Sequence, residues 1–217
     1  MPVMKSLRLL SFLLIILPFL TFSACDTDSI WQAGFSRGSI DAGKYMNRSF
    51  GLVADLPPDW EPFADPILDS LADIAKNISG KDGVKPLYLF ALLNPHTASV
   101  YATDCIPLFR LEGISNIQAY AGLSRQLKNK ELAAEGWEGR EAEVEYLEID
   151  GRQTAKITVD KSSGEITRLL IEYVYFYPMP ISGEKVIVRH TGAIRDSADI
   201  PVVEQSARSF RKENILY

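Results

Sequence analysis

Residues 143–159 read Glu-Val-Glu-Tyr-Leu-Glu-Ile-Asp-Gly-Arg-Gln-Thr-Ala-Lys-Ile-Thr-Val, and this stretch decides the fold. Two strand-like runs flank Asp150-Gly151, a dipeptide typical of the type I′ turn that joins antiparallel strands. The sequence therefore predicts a β-hairpin in which residues 143–149 pair with residues 152–159.

Two more turn signals extend this hairpin toward the C-terminus. Ser163-Gly164 and Ser182-Gly183 bracket a tyrosine-rich run at residues 165–177, and a further apolar run follows at residues 185–190. Four strand-like runs joined by short turns predict an antiparallel meander.

Helical patterns lie on both sides of the meander. Residues 65–80 open with Asp-Pro, which supplies an N-cap and a favoured first helical residue, and they carry apolar side chains at helical spacing. Ser115 begins a capping-box pattern that predicts a second helix to about Ala134, with Ser115 as the cap. Residues 201–211 predict a third helix.

Two strands are predicted ahead of the meander, an alternating one at residues 50–56 and an apolar, covered one at residues 86–93. Together the patterns predict an α+β fold: an antiparallel sheet with a C-terminal meander, flanked by two or three helices.

The first 24 residues have the three-part organisation of an export signal. Basic Lys5 and Arg8 precede an apolar run at residues 9–22, and Ser23-Ala24 follow. That run is shorter than the roughly 20 apolar residues of a membrane-spanning helix. The segment is therefore predicted to be removed after export.

The residues at the predicted cleavage point resemble a bacterial lipobox. Phe22-Ser23-Ala24-Cys25 departs from the usual form by having Phe in place of Leu. The resemblance implies acyl chains on Cys25, which would anchor the chain to a bilayer. The alternative is a secreted soluble protein. Asp26 resembles the residue that retains some lipoproteins at the inner membrane, and so favours that membrane over the outer one.

The rest of the chain is predicted to form one acidic domain. Residues 25–43 have no period and predict a tether, and residues 44–217 predict the domain. Removing residues 1–24 takes away two basic and no acidic side chains, so the net charge changes from −5 to −7. That balance argues against nucleic acid as a partner. If Cys25 is acylated, Cys105 has no cysteine left to pair with, and it is interpreted as a small buried residue.

Three short stretches carry a family resemblance. Residues 47–60 (Asn-Arg-Ser-Phe-Gly-Leu-Val-Ala-Asp-Leu-Pro-Pro-Asp-Trp) look like the opening of PsbP-like domains. Residues 148–153 (Glu-Ile-Asp-Gly-Arg-Gln) resemble the central hairpin of those domains, and residues 203–210 (Val-Glu-Gln-Ser-Ala-Arg-Ser-Phe) resemble their terminal helix. The resemblance implies a sheet between helices, in a largely non-catalytic family of protein-binding domains that includes photosystem subunits, Ran-binding relatives and bacterial lipoproteins. Residues 62–104 depart from it and look like an enlarged insertion.

Acidic residues form the first candidate site. Glu141, Glu143 and Glu145 share one face of the hairpin's first strand, whereas Leu147 and Ile149 continue that face with apolar side chains. The change predicts a bulge or partial cover. The row of carboxylates is either a solvated edge, a docking strip for a basic partner, or a weak Ca²⁺ site.

Tyr173, Tyr175 and Tyr177 form the second candidate site, a ladder on one strand face. Sheet packing is one interpretation, and a platform for a small apolar ligand is the other.

His96, Asp104, Cys105 and His190 are the remaining residues with metal-binding or nucleophilic chemistry. Their spacing matches no metal or Cys-His pattern, so no catalytic residue, metal or cofactor is predicted.

These observations support three functions. The first is a non-catalytic lipoprotein of the cell envelope, facing the periplasm or the exterior, that binds another envelope protein. The second is a binding protein for a small apolar molecule, which would need a closed pocket beneath Tyr173 and Tyr175. The third is an enzyme, which would need His96 or His190 within hydrogen-bond reach of a carboxylate or of Cys105.

Overall fold

A computed structural model describes residues 36–78, 84–137, 139–164, 166–179 and 183–213. The predicted signal segment and Cys25 lie outside the described residues. The described part contains three α-helices: α1 (Asp65–Ile78), α2 (Ile117–Ala134) and α3 (Asp199–Ser209).

The described strands form two antiparallel sheets. The large sheet has seven strands in the order β4-β5-β6-β10-β9-β8-β7. Its strands are β4 (Glu61–Pro62), β5 (Leu87–Leu93), β6 (Val100–Pro107), β7 (Glu143–Ile149), β8 (Arg152–Asp160), β9 (Leu169–Pro178) and β10 (Lys185–Ile194). The small sheet has four strands in the order β1-β2-β3-β11, namely β1 (Ser39–Asp41), β2 (Lys44–Asn47), β3 (Leu52–Asp55) and β11 (Arg211–Lys212).

The large sheet lies between two layers, and each of its faces has its own core. On one face, α1 and α2 pack through residues such as Leu68 and Tyr120. On the other face, the small sheet and α3 pack through residues such as Tyr45 and Val203. Side chains alternate between the faces of a strand, so both faces of the central strands must be apolar. β5 and β6 accordingly have almost every side chain buried.

The fold class predicted from the sequence is confirmed: the chain is α+β, with antiparallel sheets and helices packed on them. The hairpin is also confirmed. Asp150 and Gly151 both have positive φ, 49° and 70°, as a type I′ turn requires, and Glu143 pairs with Thr158.

Two details of the helices and strands differ from the predictions. The N-cap of α2 is Asn116 and not Ser115, because the Asn116 side-chain oxygen accepts a hydrogen bond of 2.8 Å from the backbone N–H of Ala119. β9 begins at Leu169, because the backbones of Ser163 and Ile166 first pair with each other through two hydrogen bonds of 3.0 Å.

The folded part of the chain begins earlier than the sequence predicts. β1 lies within the predicted tether and pairs with β2, and Arg37 donates a hydrogen bond to the carbonyl of Tyr88. The folded part therefore begins before Lys44. Residues 62–104 provide α1, β5 and the first five residues of β6, which belong to the large sheet and its cover. Within the described ranges, no helix has the length and apolar character needed to cross a membrane.

Candidate functional site

β7 forms one edge of the large sheet, where β8 is its only neighbouring strand within the described part of the chain. An edge strand presents backbone N–H and C=O groups that another extended chain can pair with. Much of β7 is also open to solvent, since Glu143, Glu145 and Glu148 are exposed and Tyr146 is 47% exposed. This edge can therefore accept a further strand without rearrangement of the sheet.

The three carboxylates of the predicted strip are not equivalent. Glu141 precedes β7 and accepts a hydrogen bond of 2.7 Å from Arg125 of α2, so an exposed ion pair screens its charge. Glu143 and Glu145 are exposed and have no ion-pair partner among the described residues. Lys156 of β8 lies opposite Glu145 in the sheet, but its ammonium forms an ion pair with the carboxylate of Glu204 in α3, at 2.6 Å. Two carboxylates on the strand itself are left to face a partner.

The apolar end of the same face is explained by partial cover. The pairing of β7 with β8 runs in continuous register from Glu143 to Ile149 without a bulge. Ile149 is buried, and Leu147 packs against the core beneath the small sheet and α3. Glu143 and Glu145 lie beyond that cover, so the acidic part of the face reaches solvent. Tyr146 points to the opposite face and adds an aromatic contact surface at the same edge.

The tyrosine ladder is buried in the core. Tyr173, Tyr175 and Tyr177 are at most 2% exposed. The cation of Arg152 lies 5.0 Å from the ring centre of Tyr175 and 5.3 Å from that of Tyr177, which covers these rings on the β8 side. The hydroxyl of Tyr177 donates a hydrogen bond of 2.6 Å to the carbonyl of Phe50. The rings belong to the core between the two sheets, as the packing interpretation expects.

The four residues with metal-binding or nucleophilic chemistry are placed apart. His96 is exposed in the turn before β6, and Asp104 lies on the helix-covered face of the large sheet. Cys105 lies on the opposite face, where its Sγ donates to the carbonyl of Leu87 at 3.7 Å and burial raises the thiol pKa. Among the described residues, no cluster of three or more His, Cys, Asp or Glu side chains is arranged to hold a metal ion.

His190 is fully buried in a set of hydroxyl groups. Its Nδ1 lies 2.9 Å from the hydroxyl of Thr103, and its Nε2 lies 3.2 Å from the hydroxyl of Tyr175. Burial, with a smaller effect of the nearby Arg152 cation, lowers the pKa of His190 to about 3. The imidazole is therefore neutral at physiological pH and links the two hydroxyls.

A buried charged network on the helix-covered face was not predicted from the sequence. Arg189 of β10 binds Asp104 of β6 through two hydrogen bonds of 2.9 Å, and Lys128 of α2 lies 3.0 Å from Glu172 of β9. All four side chains are at most 8% exposed. A cavity of about 20 Å³ beside Asp104, Arg189 and Glu172 has room for about one water molecule. A single charged residue inside an apolar strand pattern, such as Glu172 between Ile171 and Tyr173, is the signal that could have indicated it.

Burial shifts the pKa values of Asp104 and Lys128 in this network. It raises the pKa of the Asp104 carboxyl, and the Arg189 guanidinium offsets part of that rise. It lowers the pKa of the Lys128 ammonium, and Glu172 offsets part of that fall. The Asp104–Arg189 contacts link β6 to β10, and the Lys128–Glu172 ion pair links α2 to β9.

Comparison with protein families gives no match, and comparison with curated proteins gives none either. Among solved structures, the chain is similar to a Bacteroides thetaiotaomicron protein whose crystal structure was determined at 1.50 Å resolution. The two share 11% sequence identity with a TM-score of 0.39. The similarity covers 83% of this chain and 50% of that one, so this chain spans about half the length of that protein.

Proposed function

We propose that this protein is a non-catalytic lipoprotein of the bacterial cell envelope, and that its β7 edge binds a basic, extended segment of another envelope protein. The PsbP-like resemblance and the lipobox-like residues ending at Cys25 support the class and the anchor. The observation that carries the binding role is the exposed edge strand, on which Glu143 and Glu145 have no ion-pair partner among the described residues.

The charge of the edge determines which partner fits. A second copy of this chain added at β7 would bring Glu143 and Glu145 near an identical acidic row, and like charges across a strand pair are destabilising. A segment bearing Lys or Arg would form opposite-charge pairs at the same positions. The edge therefore disfavours self-association and favours a basic partner, which would pair its backbone with β7 and place an apolar side chain against Tyr146.

Co-purification after mild crosslinking in the native cells tests the partner. Wild-type protein is expected to recover a specific envelope protein, and the double variant Glu143→Lys/Glu145→Lys is expected to lose it. Glu112→Lys is the matched control, because Glu112 is also exposed but lies in the loop before α2. Equal recovery by the wild type and the double variant would contradict docking at β7.

The anchor is tested separately. Labelled palmitate is expected to appear on the wild-type protein and to be absent from Cys25→Ser, which should move from the membrane fraction to the aqueous one. An unlabelled wild-type product would refute the lipid anchor while leaving the β7 interaction to be judged by crosslinking. Asp26 predicts the inner membrane, and fractionation of the envelope checks that prediction.

A further inference from the structure

The backbone groups of β7 point alternately toward β8 and away from it. In an antiparallel pair, every second residue exchanges its N–H and C=O bonds with the residue opposite. The first and fourth residues of a closed β-turn form such a hydrogen-bonded pair, and in this hairpin they are Ile149 and Arg152. Every second residue back along β7, namely Leu147, Glu145 and Glu143, therefore also bonds to β8. The N–H and C=O groups of the residues between them face outward.

Two hydrogen bonds beyond the ends of the hairpin strands show the same alternation. The N–H of Ala142, one residue before β7, donates to the side-chain oxygen of Asn129 in α2 at 2.7 Å, so this even-numbered residue turns away from β8. The N–H of Lys161, one residue after β8, donates to the carbonyl of Arg168 at 2.7 Å, on the side of β9. Odd-numbered residues of β8 therefore face β9 and even-numbered ones face β7, as the turn requires.

The outward backbone groups of β7 belong to Val144, Tyr146 and Glu148. Groups of this kind at a sheet edge pair with an added strand. The open stretch is limited on one side by Asn129, which accepts the hydrogen bond from the N–H just before β7, and on the other side by the hairpin turn. A partner segment paired with this edge therefore lies opposite residues 143–148.

The side chains of β7 determine which residues the partner should carry. Three exposed carboxylates, which have no ion-pair partner among the described residues, favour a basic residue opposite each of them: Glu143, Glu145 and Glu148. Val144 and Leu147 are half-buried and Tyr146 is an exposed aromatic, so these three favour apolar residues. Glu143 and Glu145 would lie in the non-hydrogen-bonded pairs of the added strand, where opposite side chains are closest.

We infer, on the basis of the proposed binding at β7, that the partner adds to this edge as an antiparallel strand with the pattern basic-apolar-apolar-basic-apolar-basic. Read from its N-terminus, the segment lies opposite Glu148 first and Glu143 last. The antiparallel direction is favoured because antiparallel pairs are slightly more stable per residue than parallel ones. The pattern thus specifies the direction, the register and the residue types of the partner segment.

Fluorescence anisotropy with a labelled peptide tests this pairing. The probe is Lys-Val-Phe-Lys-Val-Lys with blocked ends, titrated with the full chain in a non-ionic detergent. In the inferred register the phenylalanine lies opposite Tyr146, so its N–H donates to the Tyr146 carbonyl. N-methylation of that amide should weaken binding at least about tenfold, because it removes the hydrogen bond and places a methyl group against the edge.

N-methylation of the lysine that follows the phenylalanine is the matched control. That lysine lies opposite Glu145, so its N–H points away from β7, and the methylated peptide should bind like the parent. The reversed peptide Lys-Val-Lys-Phe-Val-Lys has the same composition and charge. It should bind more weakly than the parent, because antiparallel pairing then places phenylalanine opposite Glu145.

The outcomes separate strand addition from docking by charge alone. Equal binding by the parent and both methylated peptides would overturn strand addition, whereas co-purification would still judge the docking of a basic segment at β7. Equal weakening by both methylations would overturn the register, and a reversed peptide that binds as tightly as the parent would overturn the direction. No binding of the parent peptide, or equal binding by the wild type and Glu143→Lys/Glu145→Lys, would overturn the inferred pattern.

Discussion

The two faces of the large sheet bury polar groups in different ways. The helix-covered face carries the charged pairs Asp104–Arg189 and Lys128–Glu172, whereas the face beneath the small sheet carries the neutral hydroxyls around His190. Arg189 and His190 are consecutive residues of β10, and strand alternation sends them to opposite faces. One residue step along a strand therefore separates buried ion pairs from a neutral imidazole held by hydroxyl groups.

Because the two faces bury different polar groups, each face should lose stability under a different change. A buried ion keeps its charge only while its partner is present, because removing the partner leaves an uncompensated charge in a poorly solvated place. A buried imidazole that stays neutral needs only hydroxyl partners. Because burial disfavours its protonated form, a fall in pH favours the unfolded state, in which the imidazole can bind a proton. The helix-covered face should be sensitive to loss of a partner, and the opposite face should be sensitive to acid.

Breaking the charged pair should have the largest effect. Arg189→Met leaves the Asp104 carboxylate buried without its two hydrogen bonds, and we expect a loss of about 3–5 kcal/mol in the free energy of unfolding. The double variant Asp104→Leu/Arg189→Met should recover most of that loss, because no buried charge is left alone. Urea denaturation measures both values.

The exposed pair between Arg125 and Glu141 is the control for that experiment. Both side chains are at least half exposed, so Arg125→Met should cost less than about 1 kcal/mol. A loss for Arg189→Met no greater than the loss for Arg125→Met would show that burial does not make the Asp104–Arg189 pair sensitive.

Lowering the pH should destabilise the face beneath the small sheet, where His190 is buried. The pKa of His190 is lowered to about 3 in the folded protein, against about 6.5 in an unfolded chain. Between these values the unfolded state binds a proton that the folded state does not. The contribution of His190 to stability is therefore fully present above pH about 6.5 and falls by about 1.4 kcal/mol for each pH unit below it.

Urea denaturation at several pH values between 6.5 and 4.5 checks this expectation. His190→Gln should lose that part of the pH dependence, whereas His96→Gln should keep it, since His96, the other of the chain's two histidines, is exposed. Parallel pH profiles for the wild type and His190→Gln would mean that His190 titrates normally.

Replacing either of two glycines that pack differently should change the stability by a smaller amount. A Cβ at Gly192 of β10 would lie 2.7 Å from a methyl carbon of Val203, so Gly192→Ala should cost about 1–3 kcal/mol by overpacking against α3. Adding Val203→Ala should relieve the collision, although the smaller side chain leaves the interface less filled. Thermal unfolding of the single and double variants measures the coupling, and a Gly192→Ala protein as stable as the wild type would contradict the close contact.

Gly122 gives the smallest expected effect, with the opposite sign. It lies exposed within α2 and has open space around a Cβ position, so Gly122→Ala should stabilise the protein by about 0.5–1 kcal/mol through helix propensity. The same thermal measurement checks it, and a decrease in the unfolding temperature would mean that the glycine has a packing role.

Local signals explain which parts of the fold could be predicted. Asp150-Gly151 determines its turn from two residues alone, so the hairpin was predicted with its register. β6 was missed because Thr103 and Asp104 interrupt its apolar pattern. Those polar residues are satisfied by His190 and Arg189, which lie more than 80 positions away in the sequence.

Local sequence signals could also predict one site, whereas contacts between distant residues could not be predicted. The acidic strip could be predicted, because Glu143 and Glu145 alternate within one strand, and the partial cover of that face was one of the two expected explanations. The buried ion pair between Lys128 and Glu172 could not be predicted, since the two residues are 44 positions apart in the sequence. Only the packing of α2 on β9 brings them together.

Site-specific photocrosslinking in whole cells tests binding at the β7 edge most directly. A photoreactive phenylalanine in place of Tyr146 should give a discrete adduct with an envelope protein, and Glu143→Lys/Glu145→Lys in the same chain should abolish it. The control replaces Phe109, an aromatic residue that is 58% exposed and lies outside β7, and it should not give that adduct. No adduct from position 146, or the same adduct from both positions, would contradict the account.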